Sequence, residues 1–277
     1  MEQKIIIGIF ALILLLSMLI PSKTCAISSS GGYTIESYDI NMVVNENNTF
    51  DITETINVNF TGYNKHGIFR KIPLRNTVTR LDGTKSSNRA KISNISVNDS
   101  YTTSNENGYK VLKIGSSDQT VSGEKTYTIK YNYNIGKDPL KDADELYFNL
   151  IGDEWDTSIE NVTFTITMPK AFDKSNLGFS SGYKNSTNSD NVNYTVTGNK
   201  IKGSLTNGLY YGQALTVRLS LPEGYFIGAS NNLDDVMLLE IGISIIFVII
   251  AFGLWNKYGK DEVAVETVEF YPPDGLN

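Results

Sequence analysis

The sequence predicts an all-β exported domain carried on one C-terminal transmembrane helix. The domain reads as an antiparallel β-sandwich, immunoglobulin-like in the broad sense. Three observations predict this. Between about 33 and 222, apolar residues recur at every second position, the period of half-buried strands rather than helices. Turn signals cut the runs into short pieces with no helix-length crossover between them. Two blocks near the ends are nearly all apolar, whereas the middle is rich in Asn, Ser, Thr and Tyr.

Residues 1–26 have the anatomy of a secretory signal peptide. Lys4 supplies the positive charge, Ile5 to Ile20 is apolar apart from Gly8 and Ser17, and Pro21 stops the run. Thr24 and Ala26 put small residues at −3 and −1 of a cleavage after Ala26. An uncleaved anchor and lipidation at Cys25 are the alternatives, the second opposed by Lys23 just before the Cys. Cleavage after Ala26 removes the chain's one Cys, and with it any disulfide.

Residues 27–228 form the expected exported domain. Phe50, Ile52, Ile56, Val58 and Phe60 share one face, with Glu54 standing in the same phase. Tyr127 to Ile135, Val162 to Met168 and Leu215 to Leu221 alternate in the same way. Weaker strands fit 33–44, 91–98, 109–114, 145–151, 192–196 and 199–205. Turns are expected at Glu46-Asn47-Asn48, Asn107-Gly108, Ser122-Gly123, Gly198-Asn199 and Thr206-Asn207-Gly208. About 190 residues exceed one minimal sandwich of about 100, so one enlarged sandwich and two fused ones both fit. The stretch from Gly62 to Ala90 is less regular.

Val236 to Trp255 is a run of 20 residues; at about 1.5 Å per residue it matches the roughly 30 Å hydrocarbon core of a bilayer. Ile241 to Leu254 carries no charge, and Trp255 and Tyr258 stand where interfacial aromatics belong. The expected helix is 234–256. Lys257 and Lys260 follow it, and no Lys or Arg lies in 229–235 before it. The positive-inside rule then places the tail, 257–277, in the cytoplasm and the head outside a cell membrane crossed once. Gly242, Ser244 and Gly253 make a small-residue stripe suited to a helix of a larger complex.

The charges exclude several chemistries. With Lys+Arg 24 against Asp+Glu 30 the formal net charge is −6, which argues against nucleic acid as a partner. One His and one Cys cannot close a zinc site. No zincin, nucleophile-elbow or phosphate-loop motif occurs, and no cofactor is expected. Residues 62–90 are strongly basic, with Lys65, Arg70, Lys71, Arg75, Arg80, Lys85 and Arg89 against Asp82. Residues 138–160 are the acidic counterpart, with eight carboxylates against Lys141. The two blocks either meet, Arg70 or Lys71 pairing with Asp144 or Glu145, or form separate partner patches. Asp142, Asp144 and Glu145 are a weak set of Ca²⁺ ligands.

Three stretches carry a resemblance. Glu54-Thr-Ile-Asn-Val-Asn-Phe60 leads through Gly62 into His66-Gly-Ile-Phe-Arg-Lys-Ile-Pro73; Asp144-Glu-Leu-Tyr-Phe-Asn-Leu-Ile-Gly152 leads to Trp155; Tyr271-Pro-Pro-Asp-Gly-Leu276 stands near the end. Together they resemble the YciQ-like predicted membrane proteins, whose exported region is a domain of unknown function. The resemblance implies a signal peptide, an outward β-rich domain, a membrane span and a cytoplasmic part, with no established activity. Family members usually continue past the last element through further membrane segments, whereas this sequence stops at Asn277. Within these stretches Pro73 suits a strand end, and Gly67 and Gly152 suit tight turns. Trp155 suits a core anchor between sheets. Arg70, Lys71, Asp144, Glu145 and Trp155 are the candidate ion-network or binding residues.

The expected role is binding or assembly at the cell envelope, with the bilayer and an envelope or membrane protein as partners. No catalytic residue is nominated, and the chain is not expected to be an enzyme. The rival readings are an envelope hydrolase acting on glycan or peptide through 138–160, and a subunit of a larger membrane complex.

Overall fold

A computed structural model describes residues 32–80, 83–230 and 235–259. The expected signal segment, and the tail beyond Gly259, lie outside the described residues. Among those described, fifteen strands form, followed by one long helix. In chain order they are β1 (Tyr33–Val44), β2 (Thr49–Lys65), β3 (Gly67–Pro73), β4 (Arg75–Thr79), β5 (Lys85–Arg89), β6 (Lys91–Val97), β7 (Tyr101–Glu106) and β8 (Tyr109–Gly115). Then come β9 (Val121–Asn134), β10 (Ala143–Ile151), β11 (Ile159–Thr167), β12 (Leu177–Gly182), β13 (Val192–Thr197), β14 (Lys200–Leu205), β15 (Ala214–Pro222) and the helix α1 (Asp235–Tyr258).

One large sheet has the order β13-β14-β11-β1-β2-β9-β6. Its strands bury one face only. On β2 the residues Phe50, Ile52, Glu54, Ile56, Val58 and Phe60 are inside, and on β9 Tyr127, Ile129, Tyr131 and Tyr133. The outer face is a ladder of polar pairs, such as Asn57 to Ser37, Thr126 to Asn57 and Asn132 to Asp51. This is where the Asn- and Thr-rich composition goes, since side chains at successive strand positions point to opposite faces.

Two three-stranded sheets, β10-β15-β12 and β3-β8-β7, cover the apolar face. Phe148 of β10 packs edge-on to Phe50 of β2 at 5.5 Å, and Phe179 of β12 lies 5.0 Å from Phe164 of β11. Buried apolar side chains from each of these three sheets join in one cluster, while β4 and β5 pair as a separate two-stranded sheet. The domain is therefore one enlarged sandwich, not two fused ones.

All the expected strands are present. The sheet is antiparallel apart from β1 and β11, which run parallel with Ile35 opposite Ile159. The irregular basic stretch contains β3, β4 and β5. β3 escapes a period-two reading because Arg70 occupies the inward slot between Ile68 and Ile72. Ser122-Gly123 is not a turn between strands but lies inside β9, with Gly123 at φ 70°. A register shift between Ile35 and Ser37 lets both Ile35 and Tyr38 face inward despite their odd spacing.

Gly67 serves a close approach within a pair of strands rather than a tight turn. It sits opposite Gly115 in the pairing of β3 with β8, at φ 143° against 122°. A Cβ on Gly67 would lie 1.8 Å from the Ile114 carbonyl oxygen, and one on Gly115 1.9 Å from that of His66. Gly115→Ala should therefore destabilise the protein by more than about 1 kcal/mol. Gly178→Ala, where nothing lies within 4 Å, should change stability by less than about 0.5 kcal/mol. Denaturant titration of the two variants checks this.

Candidate functional site

The polar centre of the head is a carboxylate on the apolar face of β2. Glu54 is completely buried, and an unpaired charge there would cost several kcal/mol, on the order of the desolvation penalty for one ion. Four donors meet it. Arg70 on β3 binds it in a fork, Nε to Oε2 at 2.8 Å and Nη2 to Oε1 at 2.7 Å. The Tyr38 hydroxyl donates to Oε2 at 2.8 Å and that of Tyr131 to Oε1 at 2.6 Å. Arg70 Nη1 donates to the Lys71 carbonyl oxygen. The pair joins two sheets, since β2 belongs to the large sheet and β3 to a covering one.

Burial acts to raise the Glu54 carboxyl, but the Arg70 charge and the hydrogen bonds outweigh it and hold the group below its ordinary range. Burial, with the nearby carboxylate, pushes the Tyr38 and Tyr131 hydroxyls well up. They therefore remain donors. Trp155 closes the cluster, its ring 5.9 Å from the Arg70 guanidinium carbon and edge-on to Tyr38 at 5.7 Å.

The expected pairing of Arg70 or Lys71 with Asp144 or Glu145 is replaced by other partners. Arg70 takes Glu54 because both point into the gap between the sheets. Lys71, one residue on, points away and lies 3.9 Å from Glu154. Glu145 pairs with Arg80 at 2.5 Å and Arg218 at 2.8 Å. Asp144 accepts the backbone N–H of Phe226 at 2.8 Å. The basic and acidic blocks do meet, through Arg80–Glu145 and Lys71–Glu154. The Ca²⁺ set is not assembled: Asp144 and Glu145 are neighbours on one strand, their carboxylates engage different partners, and Asp142 is exposed. Among the described residues no group of three His, Cys, Asp or Glu could hold a metal ion.

Beside Glu145 lies a polar hollow of about 20 Å³, lined in part by Asn48, Arg80, Asp138 and Tyr147. That volume admits one water molecule and is far below the roughly 300 Å³ of small-molecule sites. Asp138 accepts the backbone N–H groups of Leu140 and Glu145, yet burial pushes its carboxyl up to about 6.

The head has two distinct ends. At one, Ile227 N–H donates to the Glu46 carbonyl in the β1–β2 turn, and the chain leaves toward α1. At the other, β1 begins. There the Tyr33 hydroxyl donates to Asp156 at 2.8 Å and Thr157 Oγ1 to the Tyr33 carbonyl. The Trp155 carbonyl accepts the N–H of Gly212, tying the 206–213 loop to the buried cluster. A turn closed by Gln213 N–H to the Tyr210 carbonyl, and by Tyr210 N–H to Gln213 Oε1, holds Tyr210 and Tyr211 outward. They are 71% and 67% exposed, and Tyr63, in the irregular stretch of β2 between Phe60 and Lys65 at the same end, is 95% exposed. Sequence reasoning missed these tyrosines. Their signal is Tyr-Tyr after Asn207-Gly208, in a loop rather than in an alternating run.

The family model described as predicted membrane protein (DUF2207), N-terminal domain, matches residues 34–221. No curated protein matches the sequence. Among solved structures the chain is similar to yeast LTA4 hydrolase in complex with bestatin, at 11% identity and TM-score 0.37, over 74% of this chain and 32% of that one. It is also similar to an M1 zinc metallopeptidase from Deinococcus radiodurans, at 12% identity and TM-score 0.36, over 68% of this chain and 42% of that one. The chain spans less than half the length of either protein.

Two predictions concern these carboxylates. Glu54→Gln leaves Arg70 buried without its counter-charge and should cost about 3–5 kcal/mol, while Glu54→Leu with Arg70→Met should recover part of the loss; denaturant midpoints decide. A carboxyl raised in the folded state makes stability fall as pH rises between 3.8 and about 6. Asp138→Asn should remove that decline. The loss of stability below 4.5, where the depressed Glu54 carboxyl takes up its proton, should persist in this variant.

Proposed function

Because the family model covers well over half of it, this chain belongs to the DUF2207 predicted membrane proteins, and we propose that it is an envelope binding module. In this reading α1 crosses the cell membrane once, and the β-sandwich outside presents the tyrosine-bearing end to a partner. Leu238–Tyr258 is long and apolar enough to span, and none of it is buried against the head. Its 21 residues extend about 31 Å at 1.5 Å each. Lys257 and Lys260 follow the span, while 229–235 carries no basic residue; the positive-inside rule supports an outward head and an inward tail.

The observation that carries the binding role is the polarity of the head. The chain departs for the membrane at one end, and Tyr63, Tyr210 and Tyr211 stand exposed at the other. β1 alone has 12 residues, which at about 3.3 Å each hold the two ends roughly 40 Å apart. Tyr210 and Tyr211, fixed on a short turn, offer large amphipathic contact area at little entropic cost. The hydrolase reading draws support only from Asp138, whose raised carboxyl borders a hollow too small for a glycan or peptide.

Topology and role are tested together in intact cells, in a background with Cys25 replaced by Ser. A cysteine at Tyr210→Cys should react with a membrane-impermeant maleimide, and one at Asn277→Cys only after permeabilisation. The reverse pattern refutes the orientation. A photo-crosslinking residue at 211 should form discrete adducts that vanish in Tyr63→Ala/Tyr210→Ala while the protein stays in the membrane. Adducts indifferent to those changes, or turnover of envelope fragments by the purified protein, would reject the binding role.

A further inference from the structure

The exit end of the head carries its own exposed apolar surface. An open cleft of about 600 Å³ lies between the 171–176 turn and the end of β15, with Ala171, Phe172, Leu221 and Pro222 in its wall. The Tyr225 hydroxyl donates to the Lys170 carbonyl at 2.7 Å, which lays residues 225–227 beside that turn. Ile227, next in chain to two buried aromatics, is 60% exposed. Lys137, Lys141 and Lys174 are exposed around this end, and so are Glu46, Asp173 and Glu223.

We propose that this end lies on the phospholipid headgroup layer of the membrane that α1 crosses, with Ile227 and the cleft seated against lipid. The inference rests on the spanning role of α1. Only seven peptide steps separate Gly228 from Asp235, and at full extension of about 3.6 Å per residue they reach roughly 25 Å. That tether is shorter than the head is tall, so the end bearing Ile227 stays beside the bilayer. Apolar side chains ringed by charges of both signs suit a zwitterionic surface: lysines meet phosphate, and carboxylates meet the ammonium group. Contact therefore does not require anionic lipid, unlike a polybasic patch.

The test uses the full chain in phosphatidylcholine vesicles whose acyl chains are brominated, with Cys25 replaced by Ser. A fluorophore on Ile227→Cys should be quenched at least about threefold more than one on Tyr210→Cys. A fluorophore on Ala171→Cys should also be quenched, and Ile227→Asp should reduce that signal. Adding salt should leave both unchanged. Trp255 in α1 is the internal reference. If Trp255 is quenched while positions 227 and 171 behave like 210, the contact is refuted and the span stands. If Trp255 is not quenched, the spanning role falls and this inference falls with it.

Discussion

The architecture depends on a carboxylate placed where a strand should be apolar. Glu54 lies in the inward phase of β2, between Ile52 and Ile56, and no water reaches it. Burial of that charge is tolerable only if a cation and further donors arrive from elsewhere in the fold. Arg70 comes from the covering sheet, and Tyr38 and Tyr131 come from the strands on either side of β2. The four donors use up the acceptor capacity of the carboxylate. A one-residue slip of β3 would turn Arg70 outward and leave Glu54 buried without its cation. The ion pair thus fixes how one sheet sits on the other, which apolar contacts between Ile and Val side chains would specify only loosely.

Much of this was readable from residue patterns, and the exceptions share a cause. β2, β9, β11 and β15 show themselves because one face is solvated and the other is not. Period two fails where a polar residue faces inward, as Arg70 does in β3, or where a bulge resets the phase, as between Ile35 and Ser37 in β1. It is also silent on strand direction, so the parallel pairing of β1 with β11 left no trace. Pairing charged blocks by sign correctly brings 62–90 to 138–160 but picks the wrong partner for Arg70. The better clue was local: a lone acid in an apolar phase needs a cation in another inward slot, and Arg70 between Ile68 and Ile72 is such a slot.

Trp155 connects this buried chemistry to the surface. Its ring contacts Arg70 and Tyr38, its carbonyl holds Gly212, and the residue next to it takes the Tyr33 hydroxyl. Among the described residues the indole N–H has no hydrogen-bond partner, so Trp155 contributes through its ring and backbone. Tyr210 and Tyr211 thus sit on a loop fastened to the backbone of a residue that packs on the buried ion pair. The turn that carries them is held by backbone and side-chain hydrogen bonds of its own as well.

The sorting of loops between the two ends follows from the parallel pair. Because β11 runs with β1, the connection from β10 into β11, residues 152–158, must lie where β1 starts. β14 is antiparallel to β11, so the chain emerges from it at that same end and enters the 206–213 loop. β15 then runs the length of the head and delivers the chain to the β1–β2 turn, where Ile227 N–H meets the Glu46 carbonyl. Reversing β11 would carry the 152–158 connection, and Trp155 with it, to the exit side and away from Arg70. One strand direction therefore separates the aromatic display from the membrane tether and also brings Trp155 onto the buried ion pair.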